Sequence, residues 1–137
     1  MGCTMKWQRD DFWITDDTSA LDVDFYATAL NTTYWAQDRP RDVIEKSLQN
    51  SVVFSLFEND KQIGFTRTVT DDATFAWICD VYVHPDYRGR GLGKWLMACV
   101  LEHPSAQVGI NLLATRDAHG LYEQFGFERK ECMIRRN

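Results

Sequence analysis

The chain has 137 residues, 15 of them basic and 20 acidic, which leaves a formal net charge of −5. This length predicts one domain, residues 1–137, that buries roughly two-thirds of its unfolded surface. The acidic balance argues against nucleic-acid binding, which depends on a basic face. No apolar run approaches the roughly 18–20 residues of a membrane span, and the N-terminus lacks a signal-peptide pattern, so no membrane contact is expected. Four scattered cysteines without metal-ligand spacing indicate reduced thiols, no metal site and a cytoplasmic protein.

Hydrophobic periodicity predicts alternating strands and helices along the chain. The first half is predicted to hold a strand at 12–15, a helix at about 21–30, a helix beginning near Pro40, and a hairpin of strands 52–57 and 62–70. The second half is predicted to hold a strand at 75–83, a helix that stops at Pro104, a strand at 108–114, a helix at 117–125 and a last strand within 127–135. This order predicts a mixed α/β fold around one sheet, in which the helix before Pro104 forms a crossover.

A glycine-rich turn joins the strand at 75–83 to the following helix. Gly89, Gly91 and Gly93 fall within five residues of each other and precede an apolar helical pattern. A strand that runs through such a turn into a helix leaves backbone N–H groups without partners, which suits an anion and above all a phosphate. Three basic side chains add positive charge to the same turn: Arg88, Arg90 and Lys94.

Two common phosphate-binding patterns do not fit this turn. The third glycine of the dinucleotide fingerprint would fall on Lys94 or Leu96, and the Walker pattern needs glycine where the chain has Arg88. The pattern that fits is Arg-x-x-Gly-x-Gly, with its glycines at Gly91 and Gly93. It resembles the loop that holds the acyl-CoA pyrophosphate in the GNAT superfamily of N-acyltransferases. The alternative is a glycine-rich turn before an ordinary surface helix.

A second segment carries the same resemblance. Residues 118–127, Ala-His-Gly-Leu-Tyr-Glu-Gln-Phe-Gly-Phe, are similar to the A-x-x-L-Y-x-x-x-G-F segment of GNAT proteins. The two motifs are weak singly and specific together, and they occur in the family's order. The resemblance implies a central, mostly antiparallel sheet, splayed between the fourth and fifth predicted strands and flanked by about four helices. It also implies an acetyl-CoA-dependent N-acetyltransferase.

The resemblance also implies which residues bind acetyl-CoA. The backbone of Val81 and Val83 would contact the pantetheine arm, and Thr115 stands where many relatives place an asparagine that touches the same arm. The pyrophosphate would lie on the turn and its basic side chains, that is on Arg88, Gly89, Arg90, Gly91, Leu92, Gly93 and Lys94.

Acyl transfer to an amine requires that a proton leave the ammonium, whose ordinary pKa is near 10.4. Tyr122 matches the family tyrosine near the CoA sulfur and is predicted to donate to the leaving thiolate; the alternative is a core aromatic. Asp80 is predicted to be the base, because it is a lone carboxylate in an apolar strand. The alternatives are that Asp80 faces solvent or holds Arg88 or another loop residue, and that His84, His119 or solvent accepts the proton.

The acceptor pocket is predicted from four aromatic residues, for which a core position is the alternative: Tyr34, Trp35, Phe75 and Trp77. Aromatic walls beside Asp71 and Asp72 would favour a cationic amine.

The sequence therefore predicts direct transfer of an acetyl group, in a ternary complex, to a primary amine of a small molecule. A covalent intermediate on cysteine is disfavoured because Cys79 and Cys99 lie in apolar patterns. The alternatives are a peptide or protein N-acetyltransferase and a non-catalytic CoA-binding sensor. The expected partners are acetyl-CoA and the amine acceptor, with the chain a monomer or a homodimer.

Overall fold

A computed structural model describes residues 4–137, so Cys3 lies outside the described residues. Within this range the chain forms six strands and four α-helices, joined by turns that include short 3-10 segments. In chain order the elements are β1 (Lys6–Arg9), β2 (Phe12–Thr15), α1 (Val23–Leu30), α2 (Arg41–Gln49), β3 (Val52–Glu58), β4 (Lys61–Thr70), β5 (Phe75–Val83), α3 (Leu92–Glu102), β6 (Ile110–Leu113) and α4 (His119–Glu123).

The six strands form one sheet in the order β1-β2-β3-β4-β5-β6. Neighbours are antiparallel except β5 and β6, which are parallel and are connected through α3. The parallel ladder ends at the pair Ile78–Leu113, although β5 continues to Val83. The predicted mixed α/β fold and its splay are therefore confirmed. The fourth and fifth predicted strands correspond to β5 and β6 of the structure, because the structure has an additional first strand, β1.

A hydrophobic core lies on each face of the sheet. On one face α3 contributes Leu96 and Met97, which pack with Phe54 of β3. On the other face α1 contributes Tyr26, which stacks on Phe65 of β4 with ring centroids 3.8 Å apart. Burial of each large apolar side chain stabilises the fold by about 1.5–3 kcal/mol, so the two cores fix the helices on the sheet.

A β-bulge interrupts the pairing of β4 and β5. Phe65 is opposite Tyr82, but Arg67 is opposite Cys79, so two residues of β5 face one residue of β4. Asp80 is the first residue of this bulge and has a φ of 56°, in the left-handed region that aspartate tolerates better than most residues.

The bulge changes which face of the sheet the end of β5 presents. Ile78 packs in the core under α3, whereas Tyr82 packs in the core under α1 and α2. In a regular strand these two side chains, four residues apart, would share a face. The bulge therefore turns Asp80 away from the α3 core and towards α1, where polar partners are available.

Two sequence predictions need correction at the ends of the chain. Strand β1 was missed because its sequence, Lys-Trp-Gln-Arg, has one apolar residue and is mostly exposed. The last strand predicted within 127–135 is absent: residues 128–137 are all exposed, and Met133 is 97% exposed. Most of that segment is charged, so pairing it would bury too little apolar surface to offset the lost backbone entropy.

The remaining predicted elements are present with small shifts of their ends. Asp22 caps α1 by accepting from the Phe25 N–H at 3.0 Å, so the helix begins later than predicted. Pro40 immediately precedes α2 as predicted. Helix α4 is shorter than predicted, and Gly126, with a φ of 86°, follows its end. Within residues 4–137 no helix is long and apolar enough to cross a membrane.

Candidate active site

The turn before α3 exposes a row of backbone donors. Gly89 and Gly91 have φ values of 81° and 76°, in the left-handed region that glycine adopts without strain. Within the described chain the amides of residues 89–94 donate no hydrogen bond, and the first bond of α3 runs from the Trp95 N–H to the Gly91 carbonyl at 3.0 Å. Six consecutive unpartnered amides at a helix N-terminus favour an anion, through both their N–H groups and the helix dipole.

The basic side chains of this turn have different positions. The Arg88 Nε donates to the Val83 carbonyl at 2.8 Å, which holds the turn against the end of β5. The Arg90 guanidinium lies 5.2 Å from the centre of the Tyr87 ring, and Lys94 is exposed on the first turn of α3. Arg88 therefore supports the turn through a backbone contact, whereas Arg90 lies against an aromatic ring and the Lys94 side chain extends into solvent.

An open strand edge leads from this turn into the molecule. Beyond Ile78, the edge of β5 that faced β6 has no neighbouring strand within the described chain. Val81 and Val83 lie on this segment, and Val81 also lines a cavity at the point where β5 and β6 part. A linear polar group with amide bonds fits such an edge because it can pair with the exposed strand backbone.

A cavity of about 490 Å³ opens where β5 and β6 part. Three of the four residues predicted to form the acceptor pocket line this cavity: Tyr34, Trp35 and Trp77. Phe75 does not: it lies at the start of β5, where the ladder still pairs it with Ile110. Thr115 borders the cavity, and its hydroxyl accepts a hydrogen bond from the Ala118 N–H at 3.0 Å.

The two aspartates expected beside the aromatic residues lie elsewhere. Asp71 and Asp72 belong to the turn between β4 and β5 and are outside the cavity lining. The Asp71 carboxylate accepts from the Thr74 hydroxyl and from backbone N–H groups of its own turn, which lowers its pKa below the ordinary value. The expectation of a cationic acceptor depended on these two carboxylates lying beside the aromatic residues, and they do not line the cavity.

Asp80 lies on the cavity wall and is the centre of a polar cluster. Its side chain is 2% exposed, and both carboxylate oxygens accept hydrogen bonds. The donors are Tyr26 Oη (3.1 Å), Trp35 Nε1 (3.0 Å), Arg39 Nη1 (3.3 Å) and Arg67 Nε (2.7 Å). The cluster fastens α1 and the loop after it to β4 and β5 through one buried carboxylate.

Sequence reasoning missed Arg39 and Arg67, which both line the cavity. A signal for Arg67 was available: it is the one charged residue between Gln62 and Thr70 of β4, and it lies opposite Cys79, the neighbour of the lone carboxylate Asp80. Two lone opposite charges on adjacent strands predict an ion pair. Arg39 lies in a polar loop among other polar residues, so its position gave no comparable signal.

Tyr122 is buried on α4, with 8% of its surface exposed, and borders the cavity. Burial raises the pKa of its phenol above the ordinary value of 10.0, and the nearby Tyr34 and Asp117 add to the shift. No residue of the described chain forms a hydrogen bond with its hydroxyl. The group is therefore a protonated donor with no protein acceptor.

The other predicted proton acceptors lie outside this cavity. His84 accepts from the Asp86 N–H at 3.2 Å and caps the turn after β5. His119 begins α4 and borders a neighbouring cavity that also touches Tyr122. Burial raises the pKa of the Cys79 thiol, and burial raises that of Cys99 to about 12, so neither is a ready thiolate.

The sequence also matches a known protein family. A family model for the acetyltransferase (GNAT) domain matches residues 49–129, and the chain belongs to this family. A protein of Gibberella zeae provisionally named an acetyltransferase is 30% identical over 117 residues, covering 71% of this chain and 66% of that protein. An uncharacterized N-acetyltransferase of Gracilaria tenuistipitata is 38% identical over 96 residues, covering 65% of this chain and 53% of the relative.

The fold matches a solved structure over nearly its whole length. A crystal structure from Xanthomonas campestris, provisionally described as a GNAT-family acetyltransferase, superposes with a TM-score of 0.87 and is 37% identical, covering 92% of this chain and 93% of that one. The chain spans about half to two-thirds of the length of the curated relatives it matches.

Proposed function

We propose that the protein is an acetyl-CoA-dependent N-acetyltransferase that transfers an acetyl group directly to a primary amine of a small molecule. One observation carries this proposal: six unpartnered amides at the start of α3 adjoin the open edge of β5, which leads into the cavity beside Tyr122. The residues fit acetyl-CoA in that order, with the amides of 89–94 for the pyrophosphate and Val81, Val83 and Thr115 for the pantetheine arm.

The chemistry of transfer assigns roles to the residues around the cavity. Acetyl-CoA supplies a thioester carbonyl that the amine nitrogen attacks, and the C–S bond breaks as the C–N bond forms. Tyr122 donates a hydrogen bond to the departing sulfur, because its raised pKa keeps the phenol protonated at neutral pH. The aromatic residues Tyr34, Trp35 and Trp77 hold the acceptor, and alignment of the two reactants supplies much of the rate.

The proton of the amine must leave during the reaction. That Asp80 is the base remains a prediction. Its contacts favour the alternative of a structural role, in which the carboxylate holds the loop residue Arg39 and also Arg67 of β4. Both oxygens of the Asp80 carboxylate already accept hydrogen bonds, and guanidinium groups donate two of these bonds. Neither His84 nor His119 lines the cavity, so water is the alternative proton acceptor that remains there.

A screen for thiol release from acetyl-CoA tests the proposal. Small primary amines, amino acids and lysine-containing peptides are offered at equal concentration, and acetyl-CoA affinity is measured in parallel. Turnover with small amines supports the proposal, and turnover with peptides alone favours a peptide or protein acetyltransferase. Binding without turnover on any amine favours a CoA-binding sensor. A cytoplasmic location and a monomeric or homodimeric state stay predictions.

A further inference from the structure

The part of the cavity wall around Asp80 carries more positive than negative charge. Arg39 and Arg67 both pair with Asp80, at 3.3 and 2.7 Å, and their side chains are 23% and 13% exposed. Two guanidinium groups thus share one carboxylate. A half-buried cation without its own counterion is costly, so this arrangement leaves one positive charge that a bound anion would neutralise.

The other charged groups around the cavity do not supply that anion. Arg116 and Asp117 are both largely exposed and 3.8 Å apart, so they offset each other. Arg136 also borders the cavity, which makes four arginines against two aspartates in its lining. The cavity is therefore cationic in a chain whose net charge is −5.

The two arginines also have unused donors. Within the described chain Arg39 donates only through Nη1, and Arg67 donates through Nε to Asp80 and through Nη1 to the Ser51 hydroxyl at 3.2 Å. Nε and Nη2 of Arg39 and Nη2 of Arg67 remain available. A guanidinium fork with free donors fits an oxyanion, either the planar carboxylate or the phosphate.

We propose that the acceptor is a small amine that also carries an oxyanion, a carboxylate or a phosphate, which Arg39 and Arg67 bind. This inference rests on the proposed acetyl transfer and names its substrate class. The positive wall binds the anionic group, Trp35 and Trp77 contact the remainder of the molecule, and the amine extends towards Tyr122. Polyamines and lysine-rich peptides are disfavoured, because their positive charge meets the same wall.

Pairs of amines that differ by one oxyanion test this inference. Phenylalanine is compared with phenethylamine, alanine with ethylamine, and O-phosphoethanolamine with ethanolamine. Thiol release from acetyl-CoA gives kcat/KM, and calorimetry with CoA-saturated protein gives the affinity of each amine without turnover. In at least one pair, the oxyanion-bearing member is expected to win by about tenfold or more in both measurements, the gain typical of a charge-assisted hydrogen bond. The winning pair distinguishes a carboxylate from a phosphate.

A charge-matched pair of variants locates the effect. Arg39→Gln is expected to reduce the preference about tenfold while acetyl-CoA affinity stays unchanged. Arg41→Gln removes the same charge from α2, where Arg41 pairs with Asp24 and Glu45 away from the cavity, and is expected to keep the preference. An equal loss in both variants would overturn the assignment to the cavity wall.

The two proposals fail in different ways. Calorimetric affinities that are equal within each pair, or that favour the amine without the oxyanion, would overturn the anionic acceptor whether or not turnover is seen. Absence of thiol release with every amine, in protein that binds acetyl-CoA, would overturn the proposed transferase. A retained calorimetric preference in that case would still support the oxyanion site.

Discussion

Tyr122 combines burial with a hydroxyl that has no protein partner, a combination that packing alone does not require. Tyr122→Phe is expected to leave acetyl-CoA affinity nearly unchanged and to lower kcat about 10²-fold, because the lost donor acts on the departing thiolate. Its raised pKa means that the phenol stays protonated as pH rises, so the parent should keep this contribution up to at least about pH 10. Steady-state kinetics and calorimetry on both proteins measure this, and a kcat within twofold of the parent would make Tyr122 a packing residue.

Asp80 holds four donors from three parts of the chain, and its removal should therefore affect stability first. Asp80→Asn keeps the shape but replaces one acceptor oxygen by a donor, which leaves buried guanidinium groups poorly paired. The free energy of unfolding is expected to fall by about 3 kcal/mol or more, which lowers the melting temperature by about 10 °C, with the pH dependence of the remaining activity unaltered.

Asp117→Asn is the matched control, because it makes the same chemical change at an exposed position of the same cavity. It should leave the melting temperature unchanged. If Asp80 is instead the base, Asp80→Asn changes the shape of the pH–rate curve as well as the melting temperature. pH–rate curves and melting curves of the three proteins distinguish the two roles.

Individual site residues were predictable where a residue type was unusual for its surroundings. Asp80 was noticed as a lone carboxylate in an apolar strand, and Tyr122 as part of a motif, and both border the cavity. The alternation of apolar and polar residues along β5 could not predict the face of the sheet on which the Asp80 side chain lies. That direction depends on the bulge, which is a property of the pairing between β4 and β5 and not of β5 alone.

At the scale of elements, the close approach of β4 to its neighbours depends on Gly64. A methyl group on Gly64 would lie 2.7 Å from the Tyr82 carbonyl oxygen and 3.1 Å from Leu56 Cδ2. Gly64→Ala is therefore expected to reduce the free energy of unfolding by about 1–3 kcal/mol, since backbone must move to relieve the contact.

Gly120→Ala serves as the control for that measurement. Gly120 lies in α4, and a methyl group there meets no atom within 4 Å. Alanine is the better helix former, so stability is expected to stay equal or rise by up to about 1 kcal/mol. Urea unfolding of the three proteins measures both effects, and equal stability of Gly64→Ala and the parent would contradict the close approach.

Elements with strong hydrophobic periodicity were predicted well, whereas elements that depend on pairing with a neighbouring strand were not. Strand β5 was predicted with its observed ends because alternation and Pro85 define it locally. Strand β1 is held by its ladder with β2 and by Trp7, whose ring lies 6.3 Å from that of Phe54. The segment 127–135 has a short apolar run, Cys132 to Ile134, which was mistaken for a strand because the lack of a partner cannot be seen in sequence.

At the scale of the whole molecule, the chain separates its functions along the line where β5 and β6 part. The turn of residues 89–94, which is proposed to bind the pyrophosphate, follows β5, and the arginine-lined cavity lies where β5 and β6 part. The turn was predicted from the glycine motif, and the splay was predicted from the resemblance to GNAT proteins. The cavity's charge did not, because Arg39 and Arg67 meet only when α1, the loop after it and β4 are packed together.

Calorimetry with Gly91→Val tests whether the amides of residues 89–94 bind the pyrophosphate of acetyl-CoA. Valine at a φ of 76° is strained and must shift the turn, so acetyl-CoA affinity is expected to fall by about tenfold or more in a protein that stays folded. Gly126→Val imposes the same kind of strain at a φ of 86° outside the turn, and should bind as the parent does. An unchanged affinity in folded Gly91→Val would contradict the account.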